Sequence, residues 1–108
     1  MSTRRTLACI VAAVSLGATS SALAEGRIHR RQENQQQRIA QGVRSGQLTA
    51  RETARLETRE SALNREIHAL RQSNGGPLTP AERALVERQQ DRLSRGIYRQ
   101  KHDAQLRH

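Results

Sequence analysis

Two short stretches of this chain say the same thing thirty residues apart, and they limit its fold more than anything else in it. Gly46-Gln47-Leu48-Thr49-Ala50-Arg51-Glu52 and Gly76-Pro77-Leu78-Thr79-Pro80-Ala81-Glu82 both read Gly-x-Leu-Thr-x-x-Glu. A Thr followed three residues later by Glu is a capping box. The hydroxyl accepts from the backbone N–H of the third helical residue, and the Glu carboxylate accepts from the Thr backbone N–H. Thr49 with Glu52 and Thr79 with Glu82 are therefore expected to start two helices. Pro80 then falls at the first helical position, where a missing N–H costs nothing. Ahead of the second copy, Ser73-Asn74-Gly75-Gly76-Pro77 is the strongest helix breaker in the chain.

These signals cut the chain into three. Ile28, Gln32, Gln35, Ile39 and Val43 form a thin stripe at helical spacing, which predicts a first helix over about 27–44, frayed at its start. Leu56, Leu63, Ile67 and Leu70, interrupted by Glu60, make a heptad-like seam on a second helix over about 50–72. Leu85, Val86, Gln89, Leu93, Ile97 and Ala104 mark a third over about 80–103. Gly42 and Gly96 read as soft spots. No stretch alternates with the strand period. The predicted fold is all-α: three helices in a small hairpin or bundle.

The beginning of the chain reads differently. Arg4 and Arg5 precede an apolar run from Leu7 to Leu16, and Ala22-Leu23-Ala24 has the form of an export-leader cleavage site. Ten apolar residues are too few for a membrane span, which needs roughly 20. A cleaved leader over 1–24, a single small helical domain over 25–108 with frayed ends, and a periplasmic location are the expectations. From Glu25 onward the chain has no Cys, so no disulfide can hold it. Leu, Ile and Val are about a sixth of those 84 residues. So small an apolar inventory sits near the border with disorder. Extended helices, self-association into a homo-oligomer, or ordering on a partner would each answer it.

Charge narrows the function. From Glu25 on, 17 Lys and Arg face 10 Asp and Glu, and 16 of the 17 are Arg. Arg51, Arg55 and Arg59 recur every four residues on the second helix, and Arg88, Arg92, Arg95 and Arg99 follow four-three-four spacing on the third. Like charges four apart cost a few tenths of a kcal/mol. Asp91 stands four before Arg95 and Glu52 three before Arg55, as favourable partners. The seven arginines form a candidate face for an anionic lipid surface, or for acidic segments of an unfolded or envelope protein client. Nucleic acid is not expected: the leader points out of the cytoplasm, and Tyr98 alone offers little stacking surface.

Gly46, Leu48 and Glu52 share the offsets of an EF-hand loop, as do Gly76, Leu78 and Glu82. Gln41, Val43 and Ser45, or Arg71, Ser73 and Gly75, stand where acidic ligands are needed. His29, His68, His102 and His108 show no closed ligand spacing. No metal, no cofactor and no catalytic constellation are expected, and hence no enzyme. The alternatives to a binding or chaperone-like role are a metal-linked sensor or degenerate EF-hand-like module, and a structural self-associating protein.

Leu48-Thr49-Ala50-Arg51-Glu52 and Leu78-Thr79-Pro80-Ala81-Glu82 resemble the repeated Leu-Thr-x-x-Gln motif of the Spy/CpxP family, with Glu in place of Gln. That resemblance implies a small, basic, all-helical periplasmic protein concerned with envelope stress and protein quality control. The segments around Asn34–Ile39, Ser45–Thr49 and Ile97–Asp103 resemble a group of uncharacterised small exported bacterial proteins, which implies no activity.

Overall fold

The computed structural model describes the backbone from Ser2 to Arg107 and the side chains of residues 22–103. The leader expectation rests mainly on side chains before residue 22, and the place of Ala104 on the third helix also lies outside the described residues. Three helices make up the fold: α1 (Ser2–Ser45), α2 (Ala50–Asn74) and α3 (Pro80–Arg107). All three pairs of helices pack together, with α2 antiparallel to the other two.

The turns form where the sequence places them. Thr49 is the N-cap of α2. Its hydroxyl accepts from the Glu52 N–H at 3.1 Å, and the Glu52 carboxylate accepts from the Thr49 N–H at 2.9 Å. The second box repeats this at 3.2 and 2.8 Å between Thr79 and Glu82. Gly75 ends α2 in the left-handed region, φ 65°, where a Cβ would be strained. Gly46 does the same after α1, φ 76°. The helix runs on past the predicted start of the first helix. Ile28 is buried, and Glu25 is held by two partners. Arg71 Nε donates to its Oε2 at 2.8 Å, and the Leu78 N–H donates to its Oε1 at 2.8 Å. One carboxylate thus ties α1 to the end of α2 and to the following turn.

The core follows four-three-four spacing on every helix: residues 28, 32, 35 and 39 on α1, residues 56, 60, 63 and 67 on α2, and residues 86, 90, 93 and 97 on α3. Hydrogen bonds between Gln32 and Asn64 and between Gln36 and Glu57 set the register of α1 against α2. Those from Gln35 to Ser94 and from Gln90 to the Ile28 carbonyl set α1 against α3. Four layers result. The outer two are apolar: Ile28, Ile67 and Val86 at one end, Ile39, Leu56 and Ile97 at the other. The inner two are mixed: Gln32, Leu63 and Gln90, then Gln35, Glu60 and Leu93. Gln35, Glu60 and Gln90 are each 0 % exposed. Glu60 therefore does not interrupt the α2 seam; it occupies it. On α3 the buried polar residue is Gln90, while Leu85 is 38 % exposed.

Leu48 and Leu78, the leucines of the repeat, close the two ends of this stack, at 6 % and 2 % exposure. Leu48 folds back over α1, and its N–H donates to the Gly42 carbonyl at 3.0 Å. A Cβ on Gly42 would stand 2.6 Å from Leu48 Cδ1 and 2.7 Å from its Cγ. Gly42 is thus a seat for the leucine. Gly96 differs. A Cβ there would meet Arg59 Nη1 at 2.5 Å, the far end of a long exposed side chain. The two alanine substitutions should part ways. Gly42→Ala should destabilise by about 1–3 kcal/mol through overpacking. Gly96→Ala should be neutral or stabilise by up to about 1 kcal/mol, as Arg59 swings aside and the helix loses a glycine. Urea melts of both variants check this, and equal losses would contradict the packing described.

Candidate functional site

The residues singled out in the sequence separate into two groups. Thr49, Glu52, Thr79 and Glu82 serve the caps described above. Glu82 accepts further from Asn74 Nδ2 at 2.6 Å. The Thr79 N–H and the Asn74 amide hold its carboxyl below the ordinary range. Both motif carboxylates therefore face backbone donors, an arrangement that suits a helix start. Among the described residues, no three His, Cys, Asp or Glu side chains come together in a group that could hold a metal ion. His29 pairs with Glu33 at 2.8 Å, and the His102 ring stacks on Tyr98 with centroids 3.7 Å apart.

The seven arginines are all exposed, but they do not make one face. On α3, steps of four, three and four keep Arg88, Arg92, Arg95 and Arg99 on the side opposite the core. On α2 the every-fourth spacing winds, so Arg51 and Arg55 point outward while Arg59 leans across to α3 at Gly96. The described ion pairs are His29–Glu33, Arg31–Asp91 and Arg71–Glu25, and they use none of the seven. Asp91 is drawn to Arg31 on α1 rather than to Arg95 one turn along its own helix. The apolar seam, for its part, is mostly consumed inside the bundle: Ile28, Ile39, Leu56, Leu63, Ile67, Val86, Leu93 and Ile97 are buried, while Val43 and Leu85 stay exposed. Among the described residues, no helix is long and apolar enough to cross a membrane.

Two grooves gather arginines from different helices. Between α2 and α3, Arg59 and Arg92 flank a groove of about 250 Å³ floored by Leu63 and Leu93, with Glu66 among them. Between α1 and α3, Arg38, Arg95 and Arg99 surround a groove of about 390 Å³ with Ser94 and Tyr98. Arg38 is half-buried, and its Nη2 donates to the Ser94 carbonyl at 3.2 Å. Among the described residues, no carboxylate lines this second groove. A third and larger one, about 590 Å³ between α1 and α2, mixes His29, Glu33, His68 and Arg71 with amides and has no single charge character. No family model, curated protein or solved structure matches this chain. Function is therefore read from the geometry.

Two residues here escape a reading of the sequence. Arg38 lies outside the Arg runs of the other helices, and only the packing of α1 on α3 brings it to Arg95 and Arg99. Glu60 reads as a break in a stripe. Both its carboxylate oxygens are buried without a hydrogen-bond partner. Burial, with Glu57 nearby adding to it, raises its pKa to about 7.

Proposed function

We propose that this protein is a non-enzymatic binding protein of the periplasm, exported by the leader over residues 1–24, which holds an anionic partner against its basic helical surface. One observation carries this reading. Arginines converge in inter-helix grooves, and among the described residues no carboxylate is paired with Arg38, Arg95 or Arg99. Like charges held close together raise the free energy of the folded chain, and a bound anion relieves them. An anionic lipid surface, or the acidic segments of an unfolded envelope protein, supplies such a partner. In the second case the protein acts as a chaperone-like accessory, as its Leu-Thr-x-x-Glu repeat suggests by resemblance. The interaction is mainly between exposed charges, so salt should screen it.

The expected result is binding to anionic vesicles or to an acidic unfolded client that weakens steeply as salt is raised from about 0.05 to about 0.5 M, where the Debye length falls well below the roughly 10 Å of 0.1 M salt. Vesicle sedimentation and suppression of client aggregation measure the two cases. Binding to neither partner at low salt would refute the proposal.

A further inference from the structure

We infer that the groove between α1 and α3, bounded by Arg38, Arg95, Arg99 and Tyr98, is a binding site for the phosphomonoester headgroup of a membrane lipid. The inference deepens the proposed anion-binding role and rests on it. Three features single out this groove. First, of the two arginine grooves formed between helices it is the one whose described lining holds no acid, whereas Glu66 shares the groove of Arg59 and Arg92 between α2 and α3. Second, three arginines from two helices line one small concavity of about 390 Å³. That concentrates charge on a compact target. An acidic peptide spreads single charges along its length, while a phosphomonoester carries up to two on one group and offers oxygens to several guanidinium forks at once. Third, the walls between those groups are apolar. Arginine stems and the Tyr98 ring, 56 % exposed, form them. Stems of this kind lie against apolar matter while their charged ends stay in water. A headgroup phosphate next to the glycerol and first acyl carbons of a lipid has that same succession of charge and hydrocarbon.

Packing holds the site in shape. The Ser94 carbonyl fixes Arg38, and Tyr98 is braced by its stack on His102. His102 Nδ1 lies 2.9 Å from the Tyr98 carbonyl, which closes the brace within one helical turn.

The test compares two triple variants of equal charge in the exported protein. One removes the groove: Arg38→Gln, Arg95→Gln and Arg99→Gln. The other removes three exposed arginines of α2, on the far side of the bundle: Arg51→Gln, Arg55→Gln and Arg65→Gln. Melting curves establish that both are folded, and the three proteins are sedimented with vesicles containing phosphatidate. The groove variant should lose about 100-fold or more in affinity, the effect of three charge-assisted contacts. The α2 variant should lose less than about tenfold, since its charges face away from the surface. Phosphatidate should also be bound several-fold more tightly than phosphatidylglycerol at matched surface charge. Equal losses in the two variants would overturn the groove while leaving a diffuse basic surface intact. Equal binding of the two lipids would overturn the phosphomonoester, and tighter binding of polyglutamate would overturn the lipid. No binding of wild type to any of these anions would remove the site together with the function on which it rests.

Discussion

Glu60→Gln is expected to raise the melting temperature of this protein at pH 8 by about 10 °C or more, and to leave it nearly unchanged at pH 4. The reason is where the carboxyl lies. Glu60 is fully buried beside Gln35 and Leu93, and neither oxygen has a partner. Its neighbours offer acceptors rather than donors. Gln35 spends its Nε2 on the Gln90 carbonyl and the Ser94 hydroxyl, and Gln90 spends its own on the Ile28 carbonyl. The amide oxygens of both are left buried and unpartnered. Such a layer favours a protonated acid and opposes a carboxylate, in keeping with a pKa raised to about 7.

The sign of the pH dependence follows. Below the ordinary Glu pKa, Glu60 is neutral whether the chain is folded or not, and its burial carries no charge penalty. Between that value and about 7 the unfolded chain loses the proton while the folded chain keeps it, so stability falls as pH rises. Above pH 7 the loss is complete, on the order of 3 kcal/mol, because each tenfold change in proton affinity is worth about 1.4 kcal/mol. Each kcal/mol moves the melting point of so small a domain by about 4–8 °C. Gln keeps the shape of the neutral acid and cannot ionise, so it removes the loss. Melting curves of both proteins across pH 4–8 settle the matter. Parallel curves would show that Glu60 does not carry the pH dependence.

The second large effect concerns the repeat itself. Leu48→Ala and Leu78→Ala should each cost about 2–5 kcal/mol, the usual range for emptying a buried leucine site. Thr49→Ala and Thr79→Ala, in the same motif copies, should each cost only about 1 kcal/mol for a lost cap. Against a total stability of about 5–15 kcal/mol for a protein domain, a double leucine variant should be unfolded at room temperature. Circular dichroism in urea distinguishes the outcomes. Threonine losses as large as the leucine losses would mean that the caps, and not the end plugs, hold the bundle shut.

The helices are legible in the sequence because their signals are local. A capping box, a proline at the first helical position and left-handed glycines act within a few residues, so the starts of α2 and α3 fall where Thr49 and Thr79 place them. What escapes needs a second helix to be seen. Gln90 and Glu60 are polar letters in apolar positions, and a hydrophobicity stripe passes over them. Gly42 reads as a weak turn until Leu48 comes to rest on it. Arg38 belongs to no run on its own helix, and only packing makes it part of a cluster. The arginine stripes are legible as spacing, but spacing cannot show that Arg59 leans to one groove while Arg95 and Arg99 border another.

The two mixed layers have a consequence for uniqueness. All three helices carry the same four-three-four pattern, so an all-apolar core would let any of them slide by a heptad and still find leucine against isoleucine. Gln35, Glu60 and Gln90 forbid that. A slip of seven residues along α1 would carry the Gln35 amide away from the Gln90 carbonyl and leave it among hydrocarbon, at a cost of several kcal/mol. Buried polar groups are known to fix register in this way. Replacing all three with leucine should therefore yield a protein that melts higher but no longer keeps to one alignment of its helices. In this small domain the least stable layers act as the key that sets its register.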